Sequence, residues 1–333
     1  MPKLSVIIPI FNEEAILDEL DHRLHAMLDE LERSSGLEWE VVFIDDGSKD
    51  RSLEMLLALA NREPRYKLLS FSRNFGHQLA ITAGVDRAEG DAVVIMDADL
   101  QDPPEVVHQM VARWREGFDV VYGVREKRRG ETLFKRATAS LFYRTLRSMT
   151  GVDIPVDTGD FRLMSRAVVL TMRGLRERNR FVRGLVAWVG FRQTSVVYER
   201  QARFAGTTKY PLRKMVKFAL DGITSFSTVP LRFAIWLGVL SGLLALAVGV
   251  WAVYTKFFVR GVVPGWTTIM IFSAFTSSVQ LIMIGVMGEY LGRAYEELKG
   301  RPLYIVAAER NFSGPPPVES VRRVERRDPG VPS

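Results

Sequence analysis

Two stretches near the C-terminal end restrict this chain more than anything else in it. Phe233 to Tyr254 and Trp266 to Gly288 each run about 22 residues without a charged side chain, the length at which a helix crosses a hydrocarbon core. A soluble helix that is apolar on every face must be buried on every face, and globular helices seldom run that long without a charge. Both segments are therefore expected to span a membrane. Arg213, Lys214 and Lys217 stand before the first and Arg293, Lys299 and Arg301 after the second, whereas the connection between them carries only Lys256 and Arg260. This places both termini, and the region before residue 210, on the cytoplasmic side of a multi-pass inner-membrane protein. Gly238 with Gly242, and Ser273 with Ser277, are small-residue pairs that let helices approach closely, within one chain or between copies.

The segment 211–228 leads into the first span. Leu212, Met215, Val216, Ala219, Leu220 and Ile223 recur at helical spacing, with Arg213, Lys214 and Lys217 on the other side and Pro211 suited to a first turn. An amphipathic helix with a basic face fits the headgroup layer of a lipid bilayer. Residues 229–291 then form the two-span region and 292–333 a cytoplasmic tail. Its end, rich in proline and charge, is expected to be disordered.

Residues 1–210 follow a different pattern. Leu4 to Ile10, Glu40 to Ile44, Tyr66 to Phe71 and Ala92 to Met96 are apolar or β-branched runs, and Glu13 to Arg33, Ser52 to Arg62, His77 to Arg87 and Pro104 to Glu116 have helical periodicity between them. Alternation of this kind predicts an α/β domain with a mostly parallel sheet covered by helices. Ligands of such sheets bind beyond the carboxyl ends of the strands. Four polar motifs fall there: PIFNEE, DDGSKD, SRNFGH and DADLQD follow the first, second, third and fourth strands.

The last of these holds Asp97, Asp99 and Asp102. Carboxylates crowded at one place raise one another's pKa unless a cation neutralises them. Mg²⁺ or Mn²⁺ would serve, because each accepts one or two protein carboxylates and completes its shell with water and phosphate oxygens. The net charge of +6 and pI near 9.5 fit anionic partners. A chain without cysteine has no disulfide or thiolate metal site. Neither G-x-G-x-x-G after the first strand nor G-x-x-x-x-G-K-[ST] occurs, which argues against a dinucleotide or P-loop site.

LSVIIPIFNEE, VVFIDDGSKD, SRNFGHQLAITAG, MDADLQDPPE, TGDFRLMSR and RFAGTTKYPL, in that order, resemble the family 2 glycosyltransferases of GT-A fold. With two spans behind them they are similar to the polyprenyl-phosphate glycosyltransferases, the group of bactoprenol glucosyltransferases and dolichol-phosphate mannose synthases. The resemblance implies that Pro9, Phe11, Glu13, Ile44 and Asp46 line a nucleoside pocket, and that Asp97, Ala98, Asp99 and Gln101 form the metal and diphosphate segment. It also implies that Arg125 lies near the donor phosphates and that Arg203 and Lys209 reach the phosphates of donor or lipid. Asp160, in TGDFR, matches the position credited with catalysis, and Asp99 is counted with it; a helix N-cap or a partner for Arg162 is the alternative role for Asp160. Phe11 and Thr208 stand where tyrosine and serine are usual.

The activity so implied is inverting transfer of one sugar from a nucleotide sugar, UDP-glucose first, to a polyprenyl phosphate. The implied assembly is a homo-oligomer, with a tetramer favoured, and no nucleic acid is expected as a partner. A processive polysaccharide synthase or a nonenzymatic nucleotide-sugar-binding protein would share the rim motifs, but the first would need more spans and the second would leave the acids idle.

Overall fold

The computed structural model describes residues 1–126, 158–178, 180–199, 227–258 and 265–314. Arg203, Lys209, the basic segment up to residue 226 and the chain from 315 onward lie outside the described residues. The described chain divides into two compact units, one made of residues before 200 together with those from Arg301, the other of residues between 227 and 300.

In the first unit the elements are β1 (Lys3–Ile10), α1 (Leu17–Ser35), β2 (Glu38–Asp45), α2 (Ser52–Arg62), β3 (Tyr66–Phe71), α3 (His77–Arg87), β4 (Ala92–Ile95), α4 (Val106–Arg115), β5 (Val120–Arg125), β6 (Thr158–Ser165), α5 (Arg166–Gly174), α6 (Val182–Trp188), β7 (Gln193–Tyr198) and β8 (Val306–Arg310). They build one eight-stranded sheet in the order β7-β5-β6-β4-β1-β2-β3-β8. The central strands β4, β1, β2 and β3 are parallel, as the alternating pattern predicts. Burial explains their composition. Val6, Ile8, Ile10, Val41 and Phe43 belong to the core cluster with α1, α2 and α4, while Ile7 and Ile44 meet α3 at Gly84, where a Cβ would stand 2.3 Å from Ile7. Strands buried on both faces read as continuous apolar runs.

Three features refine the sequence reading. Helix α1 starts at Leu17 and not at Glu13, because the residues before it are tied across the rim: the Glu13 and Glu14 amides donate to Ser52 Oγ (2.8 Å) and Asp50 Oδ2 (3.2 Å). Strand β6 enters antiparallel between β4 and β5, so the sheet is mixed. The region after 292 is not all tail. Residues 306–310 pair antiparallel with β3, and Asn311 Nδ2 donates to the carbonyls of Ala60 (2.7 Å) and Tyr66 (2.8 Å). Covering an exposed strand edge removes a row of unpaired backbone groups, which is what this return achieves.

The second unit holds α7 (Val229–Phe258) and α8 (Trp266–Leu298). Both contain windows long and apolar enough to cross a membrane, and only 6% of each window is buried. That exposure is the reverse of what a core helix in a soluble domain shows. Of the small residues, Gly238 packs against α8, where a Cβ would stand 2.8 Å from Met283 Cε; Gly242 faces open space.

Candidate active site at the strand ends

The loops after β1, β2, β3 and β4 gather at one end of the sheet. Their mutual hydrogen bonds explain the polar motifs. Asn12, in the left-handed region at φ 56°, receives the Lys49 amide on Oδ1 at 2.8 Å and donates its own amide to Ser48 Oγ at 3.0 Å. Asp45 is fully buried and accepts the Ser48 amide (3.0 Å) and Ser70 Oγ (2.8 Å). Gly47, at φ 69°, leaves no room for a side chain, since a Cβ would lie 2.5 Å from the Arg73 carbonyl carbon.

Asp46 holds the loop that follows β3. Its carboxylate accepts the amides of Phe75 (2.6 Å) and Gly76 (2.9 Å), so it pins the loop that opens α3. Burial raises its pKa even though those amides favour the charged form. Ile44 is fully buried beneath α3, a core residue. Pro9 is buried beside it in the β1–β2 register. Phe11 is exposed at the end of β1, free to meet a planar ligand, and Glu13 is half-buried.

The acid segment after β4 bends back at Leu100, whose φ of 52° is uncommon for a residue with a side chain. The bend lets Asp99 accept the Gln101 amide (3.2 Å) and Gln101 Nε2 (2.8 Å), with Ala98 buried between the acids. Asp102 is buried, accepting Tyr198 OH at 2.5 Å and Arg125 Nη2 at 3.4 Å. Arg125 is thus anchored at the end of β5; burial opposes its charge, but Asp102 and the Tyr198 hydroxyl together raise its pKa.

Asp97 differs from its neighbours because its Oδ1 is buried without a hydrogen-bond partner. Burial first, and then the charges of Asp160, Asp102 and Asp99, push its pKa up to about 6 against the opposing effect of His77. A buried carboxylate oxygen with no hydrogen bond and only the ionic contact of His77 Nε2, 3.4 Å away, fits a hard divalent cation when it stands in a cluster of acids. Among the described residues no group of three or more His, Asp or Glu side chains is arranged to hold a metal by itself, so Asp97 and Asp99 would share such an ion with water and ligand oxygens.

Strand β6 supplies the rest. Its register pairs Ile95 with Arg162, and two further residues along that register bring Asp97 opposite Asp160. Asp160 is on a strand, which removes the helix-cap alternative. It accepts Arg183 Nε (2.8 Å) and Nη2 (3.0 Å), with His77 Nε2 3.2 Å from Oδ2. Arg162 Nη2 is only at 4.0 Å and donates to the Gly159 carbonyl at 2.8 Å. Burial alone would raise the Asp160 pKa, but His77 and Arg183 hold it well below the usual carboxylate range. His77 Nε2 is also 3.4 Å from Asp97 Oδ1. Burial opposes the imidazolium, yet the Asp160 hydrogen bond and the Asp97 charge raise its pKa.

His77, Arg183 and Tyr198 are the site residues that the sequence reading did not single out. His77 had a signal, its place in SRNFGH at the rim. Arg183 and Tyr198 had none, because α6 and β7 meet the rim only through tertiary folding.

The Glycosyl transferase family 2 model matches residues 5–172. The chain is 50% identical over 305 residues to the "Uncharacterized glycosyltransferase YkcC" of Bacillus subtilis, covering 91% of this chain and 92% of that protein. It is 40% identical over 304 residues to the "Bactoprenol glucosyl transferase" of Shigella phage SfII, covering 91% and 97%. A solved mannosyltransferase from Pyrobaculum calidifontis, in complex with GDP-Man and Mn²⁺, is 16% identical over 90% of this chain and 88% of its own, with a TM-score of 0.44. Identity of this extent, spanning both the acid rim and the apolar helices, makes the chain a member of glycosyl transferase family 2.

Proposed function

We propose that this glycosyltransferase moves one sugar, glucose from UDP-glucose in the first instance, onto a polyprenyl phosphate at the cytoplasmic face of a membrane. The observation that carries the reading is the buried Asp97 oxygen, which takes no hydrogen bond, beside the ion-paired Asp160 at the strand ends, in a chain that shares 40% identity with a bactoprenol glucosyl transferase over nine-tenths of its length. The two apolar helices support a membrane-embedded acceptor.

The chain's own groups suit the chemistry. Phe11 offers a flat apolar face to a base, with Glu13 beside it. Arg125 supplies a fixed positive charge for donor phosphates, and Arg203 and Lys209 are assigned to the phosphates of donor or lipid. A divalent cation held by Asp97 and Asp99 would neutralise the charge that develops on the departing diphosphate. The acceptor phosphate oxygen is already anionic near neutral pH, so the nucleophile needs placement more than deprotonation. Asp160 suits placement: doubly ion-paired and strongly acidic, it is a poor base, and it aims Arg183 and His77 into the site. Attack on the face opposite the diphosphate inverts the anomeric centre.

Purified protein, a short polyprenyl phosphate and a panel of nucleotide sugars test this, with and without Mg²⁺ or Mn²⁺. Formation of a polyprenyl-phosphate sugar from UDP-glucose is expected. Release of polymer would favour a processive synthase, and absence of product with every donor would refute the reading. We also propose a homo-oligomer, a tetramer by resemblance, tested by crosslinking in membranes.

A further inference from the structure

The site loop 72–77 is held from two sides. On one, Asp46 grips the Phe75 and Gly76 amides. On the other stands the chain that follows α8. The Ser72 amide donates to the Ile305 carbonyl at 3.0 Å, and the Tyr304 ring stacks on Phe71 with centroids 5.1 Å apart at 19°. Phe71 in turn meets Phe75 edge-on at 5.5 Å. Tyr304 is itself fixed, because its hydroxyl donates to Asp86 Oδ2 at 2.8 Å, and Asp86 is anchored by Arg176 Nη1 at 2.8 Å.

We propose that Tyr304 is a positioning residue for the active-site loop: the segment returning from the second apolar helix sets, through the Tyr304–Phe71 stack and the edge-on Phe71–Phe75 contact, where His77 stands against Asp160. Strand β8 alone would only cover the edge of β3. The aromatic stack does more, since it reaches past the strand end to Phe75, two residues before His77. The catalytic consequence rests on the proposed transfer reaction, whereas the mechanical coupling does not.

The test compares the full-length wild type with Tyr304→Leu and Tyr304→Phe, in detergent, by amide hydrogen exchange and by sugar transfer. Leucine keeps apolar volume and loses the stack; phenylalanine keeps the stack and loses the Asp86 bond. Exchange over residues 70–78 is expected to accelerate about three- to tenfold in the leucine variant, the scale of one aromatic pair, with α1 and β2 unchanged and the phenylalanine variant close to wild type. Turnover of the leucine variant should fall about tenfold or more, as expected when a catalytic group is displaced by a fraction of an ångström to an ångström. Unchanged exchange over 70–78 would overturn the proposal. Equal acceleration throughout the domain would overturn it as well, making Tyr304 a general stabiliser. A wild type that transfers no sugar would refute the proposed function, and the exchange comparison would still decide the coupling.

Discussion

Asp160 offers the most direct check on the electrostatics of the site. In Asp160→Asn the shape is kept and the charge removed. The wild-type carboxylate is 5% exposed and takes two hydrogen bonds from Arg183, itself 28% exposed, with the fully buried Arg162 nearby. Breaking a buried pair from one side costs about 3–5 kcal/mol because the remaining charge is left uncompensated. Arg183 is partly solvated, which lowers its share, but Arg162 is not: its Nη1 has no partner and burial already depresses its pKa to about 10. The expected loss is therefore about 2–4 kcal/mol, somewhat below that range because Arg183 is partly solvated. For a domain of this size that is a fall in melting temperature of roughly 4–15 °C, read by tryptophan fluorescence in detergent. Transfer should fall by about a hundredfold or more, the scale for losing a positioning group. Adding Arg183→Met to the asparagine background should cost much less than Arg183→Met alone, since coupled residues are non-additive. Additive losses in that cycle, or an unchanged melting temperature for Asp160→Asn, would refute the account.

Other perturbations separate local causes. Asp97→Ala should abolish transfer with the fold intact, and Mn²⁺ affinity read by electron paramagnetic resonance should drop; normal transfer in chelator would dismiss the metal. Gly47→Ala brings a Cβ to 2.5 Å from the Arg73 carbonyl carbon at a positive φ, so chemical denaturation should show a loss of about 1–3 kcal/mol, where a value near zero would contradict the contact. Glu40 is buried with Lys3 and Lys67 within 3 Å and Ser5 Oγ at 2.6 Å. Burial would raise its pKa, but these partners lower it. A carboxylate with a depressed folded pKa stabilises above its unfolded value of about 4.3 and loses that contribution as pH falls through the folded one. Glu40→Gln should thus melt lower at pH 7 and show a flatter stability curve below about pH 5; a curve parallel to wild type would exclude the linkage.

Hydrophobic periodicity by itself determined the strands β1 to β4, the helices between them and the two apolar helices, because those patterns are local and each is written into consecutive residues. It also determined that the acids after β4 lie at a rim, since the ends of parallel strands face one way. Tertiary structure decided what each acid touches. Asp46 and Ile44 were legible as strand-end residues, but only the fold shows Asp46 gripping the loop amides and Ile44 beneath α3. Likewise Asp160 could be a cap, an Arg162 partner or a site acid until β6 was seen to run antiparallel beside β4, which brings it opposite Asp97. Arg183, Tyr198 and Tyr304 come from elements remote in sequence, up to 233 residues from the loop at Phe71 that Tyr304 supports. Such contacts depend on which strand lies beside which, a choice made by the burial of the whole sheet and carried by no short stretch of sequence.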